Sequence, residues 1–390
     1  MKNATRCVSL SEEERFGAVS TPIYQTATFR QPTAVEFGEY DYSRSGNPTR
    51  TDLETKLAEL ERAPFAFAFS SGMSALSAIT KLLTTGDEIL AGSDLYGGSI
   101  RLLERLPRLG ISVTYVDTTD VQNVRAALSN RTRMLLIETP TNPFQRVSDI
   151  AALADLAHAN GVILVVDNTM LSPCLQNPIV CGADIVYHSG TKFLSGHSDV
   201  TAGVVVAKDE ELADEIAFVR NAEGTALAPF DSWLLLRGIK TLDLRVEKQC
   251  SNALKVAEFL ANEAGIRRVF HPSLASEEAR RTHERQASGF GSVIAFTTGD
   301  AEFSRRIVEA TRLCSIAVSF GSVNSTISLP CYMSHASIPD ALRGELAPPR
   351  DLVRLSVGIE NVEDIIEDLR SAIRSAAASN VVAIGKAVGE

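Results

Sequence analysis

Seven short apolar runs, each of strand length and each separated from the next by a helix-length stretch or a glycine-rich turn, constrain this chain more than any other feature. The runs are FAFAF (65–69), EILAG (88–92), SVTYV (112–116), MLLIE (134–138), VILVVD (162–167), DIVYHS (184–189) and GVVVA (203–207). Runs this apolar, with no regular polar face, belong to strands covered on both sides, and amphipathic stretches such as 147–160 supply the cover. The pattern predicts an α/β domain built on a mainly parallel seven-stranded sheet. Upstream, LETKLAELE places Leu53, Leu57 and Leu60 on one helix face. Residues 1–45 are polar and aromatic without periodicity and run into the turn signal Ser45-Gly46-Asn47-Pro48, which predicts an extended arm. Beyond Leu242 the texture changes to a long helical stretch, RVEKQCSNALKVAEFLANEA, one strand-like run, VIAFTTG, and a closing helix over 362–378, with NVVAIGKAVGE as a loose tail. That is the outline of a smaller α+β domain. The expected boundaries are therefore an arm at 1–45, a large domain at 46–238 and a second domain at 239–390, a division that suits 390 residues.

Charge and cysteine content narrow the function. With 38 Lys+Arg against 48 Asp+Glu the net charge is -10, which lacks the basic footprint needed for a nucleic-acid partner. The six cysteines form no CxxC pair, so neither a zinc site nor a disulfide framework is expected, and the thiols suit a reducing compartment. The amino terminus has no apolar core of signal-peptide length and carries an acidic run at 12–14, and no stretch reaches membrane-spanning length. These features predict a cytoplasmic protein without a membrane partner.

Three local motifs bear on chemistry. SSGMSA (70–75) follows a strand run and precedes a helical one, an arrangement that points free backbone N–H groups and a helix dipole at an anion, or else is a plain strand-to-helix turn. Asp167 ends an apolar strand where α/β sheets place ligands, although an acid there also caps turns. In HSGTKFLSGHSD (188–199), Lys192 stands among Ser, Gly and Thr with no acid until Asp199; such a lysine is either an ordinary surface residue or a desolvated amine able to form a Schiff base. Together the three supply an anion cradle, a partner for a ring nitrogen and an amine for an aldehyde, which are the parts a pyridoxal phosphate site requires.

The chain resembles the Cys/Met-metabolism family of pyridoxal phosphate-dependent enzymes in YSRSGNPTR, SSGMSA, LYGGS, ETPTNP, VVDNT, HSGTKFLSGHSD and LVRLSVGIE, in register from about Thr21 to Ala376. The resemblance implies the fold-type I architecture and pyridoxal 5'-phosphate as cofactor. It implies that Lys192 carries the cofactor and moves protons, that Asp167 keeps the ring nitrogen protonated, and that Gly72, Met73, Ser189 and Thr191 hold the phosphate. Tyr96 would stack on the ring and assist proton transfer. Tyr42 and Arg44 would reach the phosphate of a neighbouring subunit, making a homodimer with shared sites that pairs into a tetramer. Arg354 would clamp the substrate carboxylate, helped by Asn142 and Ser319.

The branch of the family is read at the rim of the site. Gly98 stands where methionine γ-lyases resemble one another in carrying Cys. In SFGSVNSTISLP, Asn324 occupies the position at which bacterial γ-synthases and γ-lyases carry a Glu thought to meet the distal substrate amine. The SFGSV form, with PCYMSHASIP and AEGTALAPFDSWLLLRGIKT, resembles plant-type cystathionine β-lyases and implies α,β-elimination of L-cystathionine to homocysteine, pyruvate and ammonia, a step of methionine biosynthesis. Cystathionine γ-synthase and γ-lyase are the alternatives, and a non-catalytic binding or regulatory protein on the same scaffold is an alternative of another class. A nicotinamide dehydrogenase is disfavoured because no GxGxxG fingerprint occurs. His188 and His197 bracket Lys192 without a third ligand, so no metal is expected; His335, Phe230, Trp233, Cys174 and Cys181 read as packing residues.

Overall fold

The structure is a computed structural model that describes residues 1–9 and 16–387; the acidic run at 12–14 lies outside the described residues. The chain opens with α1 (Asn3–Val8), then α2 (Pro48–Glu61), β1 (Phe65–Phe69), α3 (Gly72–Thr80), β2 (Glu88–Gly92), α4 (Gly97–Leu103), β3 (Ser112–Val116), α5 (Val121–Ala127) and β4 (Thr132–Glu138). There follow α6 (Ile150–His158), β5 (Ile163–Asp167), α7 (Ser172–Leu175), β6 (Ile185–Ser189), β7 (Gly203–Ala207), α8 (Glu210–Glu223), α9 (Pro229–Ile239) and α10 (Leu242–Ala261). The last part holds β8 (Arg268–Phe270), α11 (Glu277–Gln286), β9 (Val293–Thr297), α12 (Ala301–Ala310), β10 (Ser315–Ile316), β11 (Thr326–Ser328), α13 (Arg343–Leu346), β12 (Leu352–Ser356) and α14 (Val362–Ala387).

All seven apolar runs form strands of one sheet, in the order β1-β7-β6-β5-β4-β2-β3. Neighbours are parallel except at β7, which runs antiparallel to both β1 and β6. Why the runs lack a polar face is visible in the packing. Leu135 and Ile137 of β4, Leu164 and Val166 of β5, and Val204 and Val206 of β7 enter one apolar cluster. Their alternating neighbours Met134, Leu136, Val165 and Val205 enter a second cluster on the opposite face. Each such fully buried aliphatic side chain contributes about 1.5–3 kcal/mol. The helix starts follow from local chemistry: Asn47 caps α2 by accepting the Thr49 N–H at 3.1 Å ahead of Pro48, and Asp149 and Asp209 cap α6 and α8 in the same way.

A second sheet of five strands, β10-β11-β12-β9-β8, packs through Phe296, Ile327, Val353 and Leu355 on Ala253, Val256 and Leu260 of α10, Ile307 of α12 and Ile365 and Leu369 of α14. The sequence pattern foretells β9 from VIAFTTG and reads a strand-like run at Leu352, Val353 and Leu355 of β12, whereas β8, β10 and β11 have two or three residues each, too few to show a period. The closing helix runs to Ala387 and so includes most of the expected tail, whose 380–384 stretch contains no Gly or Pro to stop it. The arm also differs at its start: α1 docks on its own subunit, with Cys7 buried and the Asn3 side-chain amide donating to the Cys174 carbonyl at 2.9 Å. From 16 to 46 the chain has no helix, and Val35 and Phe37 are exposed. Among the described residues no helix is long and apolar enough to cross a membrane.

Candidate active site

The carboxyl ends of β4, β5 and β6 open into a cleft of about 440 Å³. On one wall, the turn after β1 enters α3 through a capping box: the Ser71 hydroxyl accepts the Ser74 N–H at 3.1 Å, and the Ser71 N–H donates to the Ser74 hydroxyl at 3.0 Å. Gly72 and Met73 are the first residues of α3, so their N–H groups have no acceptor within the helix and face the cleft beside Ser189 and Thr191. The approach is close. A Cβ on Gly72 would lie 3.0 Å from the Ser189 Cα, and one on Gly203 would lie 2.1 Å from the Ser71 carbonyl oxygen. Backbone donors, the Ser189 hydroxyl and a helix amino terminus thus converge as partners suited to an anion, with Thr191 beside them accepting the Ala202 N–H at 3.0 Å.

Lys192 sits three residues past β6, in a turn closed by the Lys192 N–H to the Ser189 carbonyl (3.1 Å) and the Gly196 N–H to the Lys192 carbonyl (2.8 Å). The Arg245 guanidinium, buried in α10, donates to the Phe193 carbonyl at 2.8 Å and to the Gly238 carbonyl at 2.8 Å and so fixes the turn from behind. Lys192 Nζ donates to the Ser319 hydroxyl at 2.6 Å and lies over the Phe320 ring, 5.1 Å from its centroid. Burial, reinforced by the charge of Arg354, lowers its pKa from 10.5 to about 8. Asp167 ends β5 with its carboxylate accepting the Thr169 N–H at 2.9 Å, and burial pushes its pKa up.

Arg354, in the centre of β12, is 2% exposed. It donates to Asn142 Oδ1 at 3.0 Å and to the Ser319 carbonyl at 2.9 Å, and it also lies over Phe320. Burial lowers its pKa to about 10. Lys192, Asn142, Ser319 and Arg354 therefore form one connected group. Tyr96 precedes α4 at the cleft mouth, 37% exposed, with its backbone N–H on Glu138.

Three of the expected site residues lie elsewhere in this chain. Tyr42 and Arg44 border a separate hollow with Gly224 and Pro229, their backbone held by the buried Arg50, which donates to the Ser43 carbonyl at 2.7 Å and the Arg44 carbonyl at 3.2 Å. Asn324 is exposed and does not line this cleft. Its turn is pinned by the Val323 N–H to the Gly196 carbonyl (2.9 Å) and by Ser325 to Glu360, and this directs Asn324 to solvent. Phe320, Glu138 and Tyr187 line the cleft without having been singled out in the sequence. His188 is a satisfied core residue, paired with Glu61 at 2.6 Å. His335, held neutral by burial with a pKa near 4, bonds the Asn142 carbonyl. No group of three His, Cys, Asp or Glu among the described residues could hold a metal ion.

A desolvated lysine after β6, a carboxylate at the end of β5 and an anion cradle at a helix amino terminus, on this sheet order, define a fold-type I pyridoxal phosphate-dependent enzyme, a carbon–sulfur lyase by its relatives. Residues 4–374 match the family model described as Cys/Met metabolism PLP-dependent enzyme, and the chain belongs to that family. It is 52% identical over 95% of its length to the chloroplastic cystathionine beta-lyase of Arabidopsis thaliana, 81% of which is covered. It is 51% identical over 98% of its length to the cystathionine beta-lyase of Neurospora crassa, 84% of which is covered. Among solved structures, that of cystathionine gamma-lyase from Lactobacillus plantarum complexed with L-serine superposes with a TM-score of 0.94 at 39% identity, covering 97% of this chain and 100% of the other.

Proposed function

We propose that this enzyme cleaves L-cystathionine at Cβ, consuming water and releasing homocysteine, pyruvate and ammonia. The observation that carries the proposal is the identity of half the residues, over nearly the whole chain, with proteins named cystathionine beta-lyase. When bound, pyridoxal phosphate supplies an aldehyde for amines and a ring that accepts electrons. The residues do the rest. Gly72, Met73, Ser189 and Thr191 would hold its phosphate, Asp167 would keep a proton on its ring nitrogen, and Tyr96, at the cleft mouth, would pack against its ring. Arg354, oriented by Asn142 and the Ser319 carbonyl, binds the substrate carboxylate. Lys192, whose amine is free in part near neutral pH, takes the proton from Cα, and Tyr96 assists proton transfer.

The site is completed in a homodimer, in which Tyr42 and Arg44 reach the partner's phosphate; their distance from the Lys192 cleft of their own chain and the exposed apolar arm around Val35 and Phe37 support this. Pairs of dimers form a tetramer, as the family resemblance implies. We set the domain boundaries at 45/46 and 238/239, and the six free cysteines support a cytoplasmic location. A second reading, γ-cleavage, is favoured by the close superposition on a cystathionine gamma-lyase. Incubation of purified enzyme with L-cystathionine separates the two: pyruvate with homocysteine is expected, whereas 2-oxobutyrate with cysteine as main products establishes the second reading.

A further inference from the structure

The sheet sets three titratable side chains in one row at the floor of the cleft. Glu138 of β4 is in register with Asp167 of β5, and Asp167 with Tyr187 of β6. Residues in register on neighbouring parallel strands project from one face about 4.8 Å apart. All three are buried and all three line the cleft, yet only Asp167 has an assigned task.

Their surroundings differ. Asp167 accepts the Thr169 N–H, and the Thr169 hydroxyl and the His188 imidazole also favour its charge. Glu138 faces the anions Asp167 and Asp94; against these stand the Tyr96 N–H at 3.1 Å, the backbone of Asn142 and the more remote charge of Arg354. Burial, then Asp167, drives its pKa well above the carboxylate range. Two buried carboxyls one strand apart do not both stay ionised. Tyr187 is 3% exposed, and its hydroxyl faces Asp167 and Ser99 but closes no hydrogen bond of ordinary geometry. A buried hydroxyl without a partner is costly and calls for a reason.

We propose that Glu138 and Tyr187 are positioning residues acting through Asp167: Glu138 holds the proton of the row and Tyr187 donates its hydroxyl to Asp167, which leaves Asp167 as the one full charge offered to the cofactor's ring nitrogen. This rests on the pyridoxal phosphate site argued above. The Glu138 side chain thereby serves twice, since the oxygen on the Tyr96 N–H also steadies the residue at the cleft mouth.

The test uses wild-type enzyme and the variants Tyr187→Phe, Glu138→Gln and Asp167→Asn, each stripped of cofactor and titrated with pyridoxal phosphate, with melting of the stripped forms recorded in parallel. Tyr187→Phe removes one oxygen and keeps the ring in its apolar cluster. It is expected to raise the apparent dissociation constant by about tenfold or more, the loss of one hydrogen bond to a charged group. A rise of less than about threefold, with a stripped form that melts higher than wild type, is what an idle hydroxyl gives and overturns its role. Glu138→Gln fixes that side chain neutral and keeps an acceptor for Tyr96, so it should weaken binding far less than Asp167→Asn. Weakening equal to that of Asp167→Asn would show that Glu138 carries charge and overturn its role. If wild-type enzyme itself gains no visible absorbance from pyridoxal phosphate, the cofactor reading fails instead, and the two failures are distinct.

Discussion

Lys192 and Arg354 are buried cations of the cleft, and the charge of Arg354 weakens the hold of Lys192 on its proton. Lys192 has its pKa lowered to about 8 by burial first and by Arg354 second. A lysine whose folded pKa is depressed binds more protons unfolded than folded between that value and its ordinary 10.5, so the cofactor-free protein gains stability as pH rises through that window. Its amine becomes reactive in the same direction. The rate at which cofactor-free enzyme captures pyridoxal phosphate should therefore rise with pH around a midpoint near 8, read from the growth of visible absorbance. A midpoint near 10.5 would show an ordinary, solvated lysine. Lys192→Ala should remove the absorbance and the turnover and leave the melting of the cofactor-free protein close to wild type. Arg354→Gln should move the capture midpoint upward and raise KM for the amino acid by roughly 10- to 100-fold, the range expected for charge-assisted hydrogen bonds to a carboxylate. If KM is unchanged, the clamp is wrongly placed.

At the level of elements, the decisive contact is between the start of β7 and the turn that enters α3. Gly203 lies so close that a Cβ would stand 2.1 Å from the Ser71 carbonyl oxygen and 2.9 Å from the Gly72 nitrogen. Gly203→Ala must push the α3 amino terminus away, at a cost of about 1–3 kcal/mol in stability. Because the displaced atoms are the proposed phosphate donors, cofactor affinity should fall with it; a stable variant with wild-type affinity would refute the cradle. Gly72 and Lys192 were legible in the sequence because each lies within a run of small residues beside a strand. The seven large-sheet strands were legible because both faces of each are apolar. The second sheet was legible only at β9 and β12, since the two- and three-residue strands β8, β10 and β11 leave no periodicity. Glu138 and Tyr187 were hidden for another reason: each reads as a strand residue, and only the register between strands places them on either side of Asp167. Asn324 shows the converse, a motif position whose side chain is turned out by the hydrogen bonds of its neighbours.

For the whole molecule, the separation of Tyr42 and Arg44 from the Lys192 cleft makes the proposed dimer testable by complementation. Lys192→Ala and Arg44→Ala proteins should each have little activity alone. Mixed after dissociation and reassociated, they should recover about a quarter of wild-type activity, because random pairing yields half heterodimers with one intact site in two. No recovery in verified heterodimers would mean that each subunit builds its site alone. α10 bears on both sheets as well. It spans about 30 Å over its 20 residues. Leu242 and Val246 pack into the core of the seven-stranded sheet, and Ala253, Val256 and Leu260 pack under the second sheet. Along its length Arg245 grips the turn of Lys192, Gln249 donates to the Ser322 carbonyl at 2.7 Å, and Asn252 donates to the Gly358 carbonyl at 3.0 Å, beyond β12. One rod thus sets the gap between amine and guanidinium as a fixed gauge. Such a gauge measures only the portion that all α-amino acids share, so the choice among them falls to the part of the cleft that α10 does not hold, the rim at 333–337 beside Tyr96.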